Sequence, residues 1–390
     1  MGFLDDLRVQ ISTLAIFRKL LSDRVIKSLC EYLASPTASG YSEFVCALYS
    51  ANGGELGDYV QDICENDENV YVQTVGKGQN VSAFLQSTIE AELSVLQKVA
   101  DLTAAQLRAP LEYDGYLPEF QSGGIKLAES FMHRVNNIGK YGYGIYAKNR
   151  MFYVDESGSI TPVSNPDKTA ISDLVDYERE RQIIIDNTKA LLDGKPAANI
   201  LLTGDAGTGK SSTVKAVTNE LWSEGLRIIE VRKDQLRAIP KILDELSVNP
   251  LKFVLFIDDL SFLKDDDNFN ALKAVLEGSV TAKSKNVVIY ATSNRRHVIK
   301  EKFSDREGDD IHRNDTMQEL VSLSERFGIH ITFSKPNKAT YLHIVSHLAE
   351  ESGITLPQAE LELLAERFAL ERGSRSARLA RQFIDSLLSK

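Results

Sequence analysis

Cysteine is scarce in this 390-residue chain: Cys30, Cys46 and Cys64 are its three, they lie near the start, and none has C-x-x-C spacing. So sparse and odd a set excludes a disulfide framework and offers no thiolate metal cluster; buried thiols in helices are the expectation. Long apolar runs are also missing, so no segment is expected to cross a bilayer as a helix. The start, MGFLDDLRVQ, carries acids where a secretory leader carries bases, and Asp6 stands where a myristoylation signal needs Ser or Thr. These absences point to a cytoplasmic protein with no membrane partner. Positive charge is in deficit as well: 45 Lys and Arg against 55 Asp and Glu give a formal net charge of −10. That excludes a protein-wide field for nucleic acid and leaves only a local basic patch.

What is present reads as globular. Hydrophobic residues make up 43% and charged residues 26% of the chain, enough for a sizeable core, and the length implies two or three domains. Residues 1–136 look mostly helical, since Leu4, Leu7, Ile11 and Leu14 share a helical face, as do Ile89, Leu93, Leu96 and Val99. No chemistry is legible there. Between Tyr141 and Val163 aromatic and β-branched residues alternate between turn signals, which predicts a small β-meander, and with the SNPDKT linker it spans 137–165. DLVDYERERQIIIDNTKALLDG then predicts one amphipathic helix carrying Ile184, Thr188 and Leu191.

The chemistry is concentrated after that helix. NILLT runs into GDAGTGKSS and then TVKAVTNEL, a strand, a glycine-rich turn and a helix. Gly204, Gly209, Lys210 and Ser211 fit G-x-x-x-x-G-K-[ST], with Gly207 inside the loop. Successive backbone N–H groups can point at a triphosphate only where the chain takes dihedrals that glycine adopts cheaply. The following helix adds its free amides and dipole. Gly204, Asp205, Ala206, Gly207, Thr208, Gly209, Lys210, Ser211 and Ser212 therefore form the candidate phosphate cradle. Lys210 is expected to meet the β and γ phosphates, and the Ser211 hydroxyl to ligate magnesium.

Four more strand candidates alternate with helices: RIIEV (227–231), FVLFI (253–257), VVIYA (287–291) and IHITF (329–333). Continuous apolar runs between helices mean a parallel sheet covered on both faces, with ligand beyond the carboxyl ends of its strands. FVLFI closes on Asp258 and Asp259. Asp258 is expected to hold magnesium through water, and Asp259 to orient or deprotonate the attacking water. VVIYA runs on to Asn294, whose amide can bond both a γ-phosphate oxygen and that water. Arg295 and Arg296 follow. LSERFG (323–328) sets Arg326 before IHITF, where it can serve as an arginine finger to a neighbouring subunit. Near the end, Arg372, Arg375, Arg378 and Arg381 recur every three residues. They read either as a surface facing nucleic acid or as a lid contact to nucleotide, with Arg378 favoured for the contact. His343 and His347, four apart, lack a third ligand, so no zinc site is expected.

In order, these pieces resemble the AAA+ ATPases: GDAGTGKS as Walker A, FVLFIDD as Walker B, YATSN as sensor 1, LSERFG as the arginine-finger box and GSRSAR as sensor 2. More narrowly, LVDYERERQ, IEVRKDQL, IDDLSF, LKAVLEG and YATSNRRHVI are similar to the bacterial AAA+ family catalogued as domain of unknown function 815, over roughly residues 140–390. The resemblance implies an α/β P-loop NTPase with a five-stranded parallel sheet in the order 5-1-4-3-2. It also implies a nucleotide-binding core over 166–335, a helical lid over 336–390, ATP and Mg2+ as cofactors, and hydrolysis at the boundaries of a homo-oligomer. It further sets Val175 and Tyr177 beside the adenine. One departure stands out: many members have glutamate where this chain has Asp259, and the lost methylene shortens the reach to water and implies slow turnover. The expected activity is ATP hydrolysis driving conformational change on a macromolecule. A DNA-associated loader and a nucleotide-regulated scaffold docking a protein through residues 1–136 are the alternatives, with nucleic acid not favoured.

Overall fold

The computed structural model describes residues 2–260, 267–277, 285–294 and 325–389. The chain divides into two compact units, Met1–Lys148 and Asn149–Lys390. Among the described residues no helix is long and apolar enough to cross a membrane.

The first unit is helical. Its longest helix, Ala83–Ala100, buries Ile89, Leu93, Leu96 and Val99, the face that the 3.6-residue period selects. Aromatic rings fill the rest of that core: Phe17 meets Phe131 edge-on at 5.6 Å, and Phe44 meets Phe120 at 5.6 Å. Each such buried ring contributes roughly 1.5–3 kcal/mol relative to an exposed one. Glu92 is buried among them at 6% exposure. Its carboxylate accepts the backbone N–H groups of Ala15 at 2.6 Å, Ile16 at 3.1 Å and Phe17 at 3.0 Å, which holds the turn after the first helix.

The second unit is built on one sheet. Its strands are β1 (Met151–Val154), β2 (Ile160–Pro162), β3 (Ile200–Gly204), β4 (Leu226–Glu230), β5 (Lys252–Ile257), β6 (Val287–Ser293) and β7 (Ile329–Phe333). The expectation of a five-stranded sheet is corrected, because seven strands run in the order β2-β1-β4-β5-β6-β3-β7. β1 pairs parallel to β4 and β2 antiparallel to β1, so the hairpin extends the sheet instead of standing apart as a meander. The meander also begins later than the alternation predicts. Tyr143 and Tyr146 are three apart, a helical interval, and both are buried, while Ile145–Lys148 makes a helical turn. Asp155 tightens the hairpin by accepting the N–H groups of Ser157 at 2.8 Å and Ser159 at 3.0 Å.

Between hairpin and β3, the helix predicted from the DLVDYERE stretch starts only at Glu178. Asp176 and Tyr177 take left-handed φ values of 61° and 63°, which break the helix before it begins. From there the period holds: Ile184, Thr188 and Leu191 are buried, and the Thr188 hydroxyl is satisfied by Ile184 O at 2.7 Å and the Tyr290 hydroxyl at 2.8 Å. The helix after the glycine loop, Lys210–Leu221, packs Val214, Val217 and Leu221 into the same core as Ile200, Leu202 and Phe256. Three helices close the chain, Lys338–Glu351, Gln358–Glu371 and Ala377–Leu388, around Tyr341, Ile344, Ala365 and Phe383.

Candidate active site

Parallel register brings the polar residues together. β3, β5 and β6 are neighbours, β5 beside β6 and β6 beside β3, and all run in one direction. Their carboxyl ends therefore deliver the loop after Gly204, the acids after Ile257 and the amide after Ser293 to one edge. Gly204 is required by close approach: a Cβ there would lie 2.1 Å from Phe333 O of β7. Beyond it, Thr208 donates its hydroxyl to Asp205 O at 2.9 Å, and Gly209 caps the helix that begins with Lys210.

Lys210 is buried at 4% exposure, and its Nζ donates to Gly204 O at 2.9 Å, Asp205 O at 2.8 Å and Asn294 Oδ1 at 2.9 Å. Burial pulls its pKa below the ordinary lysine value, while Asp258, Asp205 and Asp259 push it back up and Arg378 lowers it further. Asn294 in turn donates Nδ2 to Asp259 Oδ1 at 2.7 Å. Ser211 donates its hydroxyl to Asp258 Oδ1 at 2.7 Å. Lysine, amide, both acids and serine thus form one network at the mouth of the loop. Asp259 holds a left-handed φ of 51° and is exposed, whereas Asp258 is half-buried.

The closing helices complete a cleft of about 680 Å³ over this network, within the size range of small-ligand pockets, ~300–1,000 Å³. Its lining includes the loop from Ala206 to Thr213, Asp258, Asp259, Asn294, Val175, Tyr177 and Arg378. Gly207 joins the loop to the closing helices: its φ is +80°, a Cβ there would stand 3.0 Å from Arg378 Cβ, and its carbonyl accepts the Arg378 N–H at 3.3 Å. Val175 packs against the core of the three closing helices. The Tyr177 ring lies 5.2 Å from that of Phe333, and its hydroxyl donates to Ser334 O at 2.5 Å. Burial, with Asp176 next, pushes the Tyr177 phenol up to about 12, so it stays a neutral donor at any physiological pH.

The family described as protein of unknown function (DUF815) matches residues 147–390. The chain belongs to the DUF815 family. No curated protein matches the chain. Among solved structures it is similar to the RuvB Holliday junction branch migration motor of Thermotoga maritima, at 14% identity and a TM-score of 0.35, covering 56% of this chain and 72% of that one.

Not every residue singled out in this DUF815 member reaches the cleft. Arg326 precedes β7, and Ile329 of β7 pairs with Ile200 at the amino end of β3. That is the opposite end of the strands from the glycine loop after Gly204. The arginine series near the carboxyl end is not a single surface either. Arg375 makes a two-pronged bond to Glu366, both contacts at 2.9 Å, and Arg372 lies over the Phe368 ring at 5.2 Å, whereas Arg381, 3.8 Å from Glu351, lines the cleft with Arg378. His343 pairs with Asp176 at 3.3 Å. Arg295, Arg296, residues 300–319 and the first two residues of LSERFG lie outside the described residues.

Sequence reasoning passed over Thr292. Its hydroxyl donates to Asp258 Oδ1 at 2.5 Å and accepts the Asp259 N–H at 2.9 Å. The one hint in the sequence is its place two residues before Asn294, an interval that turns side chains the same way on an extended chain; the register in which Ile257 pairs with Ala291 then sets Asp258 level with Thr292. Ser376 was passed over too; buried at 5% exposure, it caps the last helix beside Gly207.

Proposed function

We propose that this chain is an ATPase of the AAA+ type that binds ATP with Mg2+ and hydrolyses it to act on a macromolecular partner. The convergence of Lys210, Asn294, Asp259, Asp258 and Ser211 on one glycine loop under a lid carries this reading. Gly204 to Ser212 would wrap the phosphates, Val175 and Tyr177 would flank the base, and Arg378 would reach the nucleotide from the lid. Lys210 gives all three of its N–H bonds to the protein, and an anionic phosphate oxygen is a stronger acceptor than a carbonyl. The donor set suits magnesium: the Ser211 hydroxyl and the Asp258 carboxylate are hard oxygen ligands, and Mg2+ binds through one or two such groups beside substrate phosphates. When bound, the ion would neutralise charge developing on the β and γ oxygens.

In hydrolysis Asn294 and Asp259 would hold a water, the Asp259 carboxylate taking its proton as the oxygen forms a bond to the γ phosphorus and the β–γ bridging bond breaks. Phosphate and ADP leave. The location of Arg326 at the far end of the strands supports a role toward a second copy of the chain, hence a homo-oligomer. The two-pronged Arg375–Glu366 pair takes one arginine out of the series, and Arg378 and Arg381 line the cleft, which makes the DNA-loader reading the weaker one. Residues 1–136 are the candidate docking region for a protein partner. Calorimetric titration with ATP and Mg2+, together with phosphate release, is the test. Saturable binding with turnover is expected, and a chain that takes up no ATP would refute the proposal.

A further inference from the structure

Asp258 and Asp259 leave β5 side by side, yet no residue of their own strand fixes where their carboxylates point. A hydroxyl from the neighbouring strand bonds the Asp258 carboxylate and the Asp259 backbone, while Asn294 holds the Asp259 carboxylate. Thr292 is 2% exposed, and its Oγ1 donates to Asp258 Oδ1 at 2.5 Å while accepting the Asp259 N–H at 2.9 Å. One oxygen therefore uses its proton on the first acid and a lone pair on the backbone of the second.

We infer that Thr292 is a positioning residue that aims the Asp258 carboxylate at the metal and holds Asp259 in its left-handed turn, an inference that rests on the ATPase reading above. The distribution of bonds on Asp258 supports it. Ser211 Oγ, Thr292 Oγ1 and the Asp259 N–H at 3.1 Å all fall on Oδ1, which reserves Oδ2 for a ligand. Once Ser211 turns to the metal, Thr292 and the Asp259 amide remain to keep that orientation. The same hydroxyl anchors a non-glycine residue at φ 51°, a conformation Asp tolerates but that needs support to persist. The neighbouring hydroxyl makes the contrast: Ser293 is fully buried on the other face of β6, and among the described residues its Oγ has no hydrogen-bond partner. A hydroxyl on this strand is engaged with the acids only at 292.

Thr292→Val removes the hydroxyl and keeps the shape, and Thr292→Ser restores the oxygen. Calorimetric titration of the full-length chain with ATP, first in EDTA and then across a Mg2+ series, separates nucleotide from metal effects, with phosphate release measured in parallel. For Thr292→Val, metal-free ATP affinity is expected to match the unaltered chain, while the Mg2+ concentration giving half-maximal binding enhancement and turnover rises about tenfold or more. Thr292→Ser is expected to bring the Mg2+ requirement back toward that of the unaltered chain. A Thr292→Val protein with unaltered Mg2+ dependence and turnover overturns the inference while leaving the ATPase reading intact. So does one that loses metal-free binding too, because the hydroxyl then acts through the fold. If the unaltered chain binds no ATP, the ATPase reading fails and the role of Thr292 falls with it.

Discussion

Glu92 in the first unit and the Lys210 network in the second both take charged groups away from water, with opposite outcomes. Glu92 spends its carboxylate on three successive backbone N–H groups, and nothing is left over for a ligand. Lys210 donates to two loop carbonyls and to Asn294, Asp258 accepts from Ser211 and Asp259 from Asn294, and the set borders a cleft. A buried charge whose bonds close on the backbone is a fastener. One that also bonds side chains at the edge of a cleft can trade its bonds for stronger ones to an anionic ligand.

The largest effect that tests this contrast is expected for Lys210→Ala, which should abolish ATP binding by calorimetry yet barely move the melting temperature. Retained affinity would erase the distinction. Next is Arg326→Ala, expected to lower turnover about a thousandfold with binding intact; normal turnover would reject a role across subunits. Glu92→Leu should destabilise the first unit by about 3 kcal/mol in urea unfolding, since three backbone donors lose a charged acceptor. ATP affinity should be unchanged. A cost below about 1 kcal/mol would mean that the turn is held by other contacts.

The smallest effect belongs to Asp155, whose hydrogen bonds from Ser157 and Ser159 hold its carboxyl down at about 2. Because its folded pKa lies below the ordinary 3.8, the support it gives the β1–β2 hairpin is complete above that ordinary value. It is lost as pH falls from about 4 through about 2. Following the Asp155 carboxyl by NMR through an acid titration checks it, and a midpoint near the ordinary aspartate value would show that the turn is not formed in solution.

Legibility followed sequence distance. The loop residues stand within nine positions, Gly204 to Ser212, and each does its work through local backbone, so motif and geometry coincide. Apolar periodicity likewise located the buried faces at Leu93 and Leu96 and at Val214 and Val217. Thr292 was hidden because its partner is 34 residues away across a strand pair, and a threonine inside a β-branched run looks like any strand residue. The break at Asp176 and Tyr177 was hidden because neither is glycine, so the helix period appeared to run through it. The arginine series left two readings open for a related reason: regular spacing says nothing about which carboxylate or ring stands opposite each side chain.

By itself, the amino-acid sequence determined the chemistry available, a glycine loop with its lysine and serine and two acids after a buried strand. Those depend on neighbours along the chain and on the inability of bulkier residues to take the same turns. Only the tertiary structure decided that Arg378 and not Arg375 faces the cleft, that Thr292 bridges the acids and that the sheet continues through β1 and β2. Each of these is a matter of strand register or helix docking between distant segments, which is set by the packing of the whole unit and leaves no periodic trace in the residues that take part.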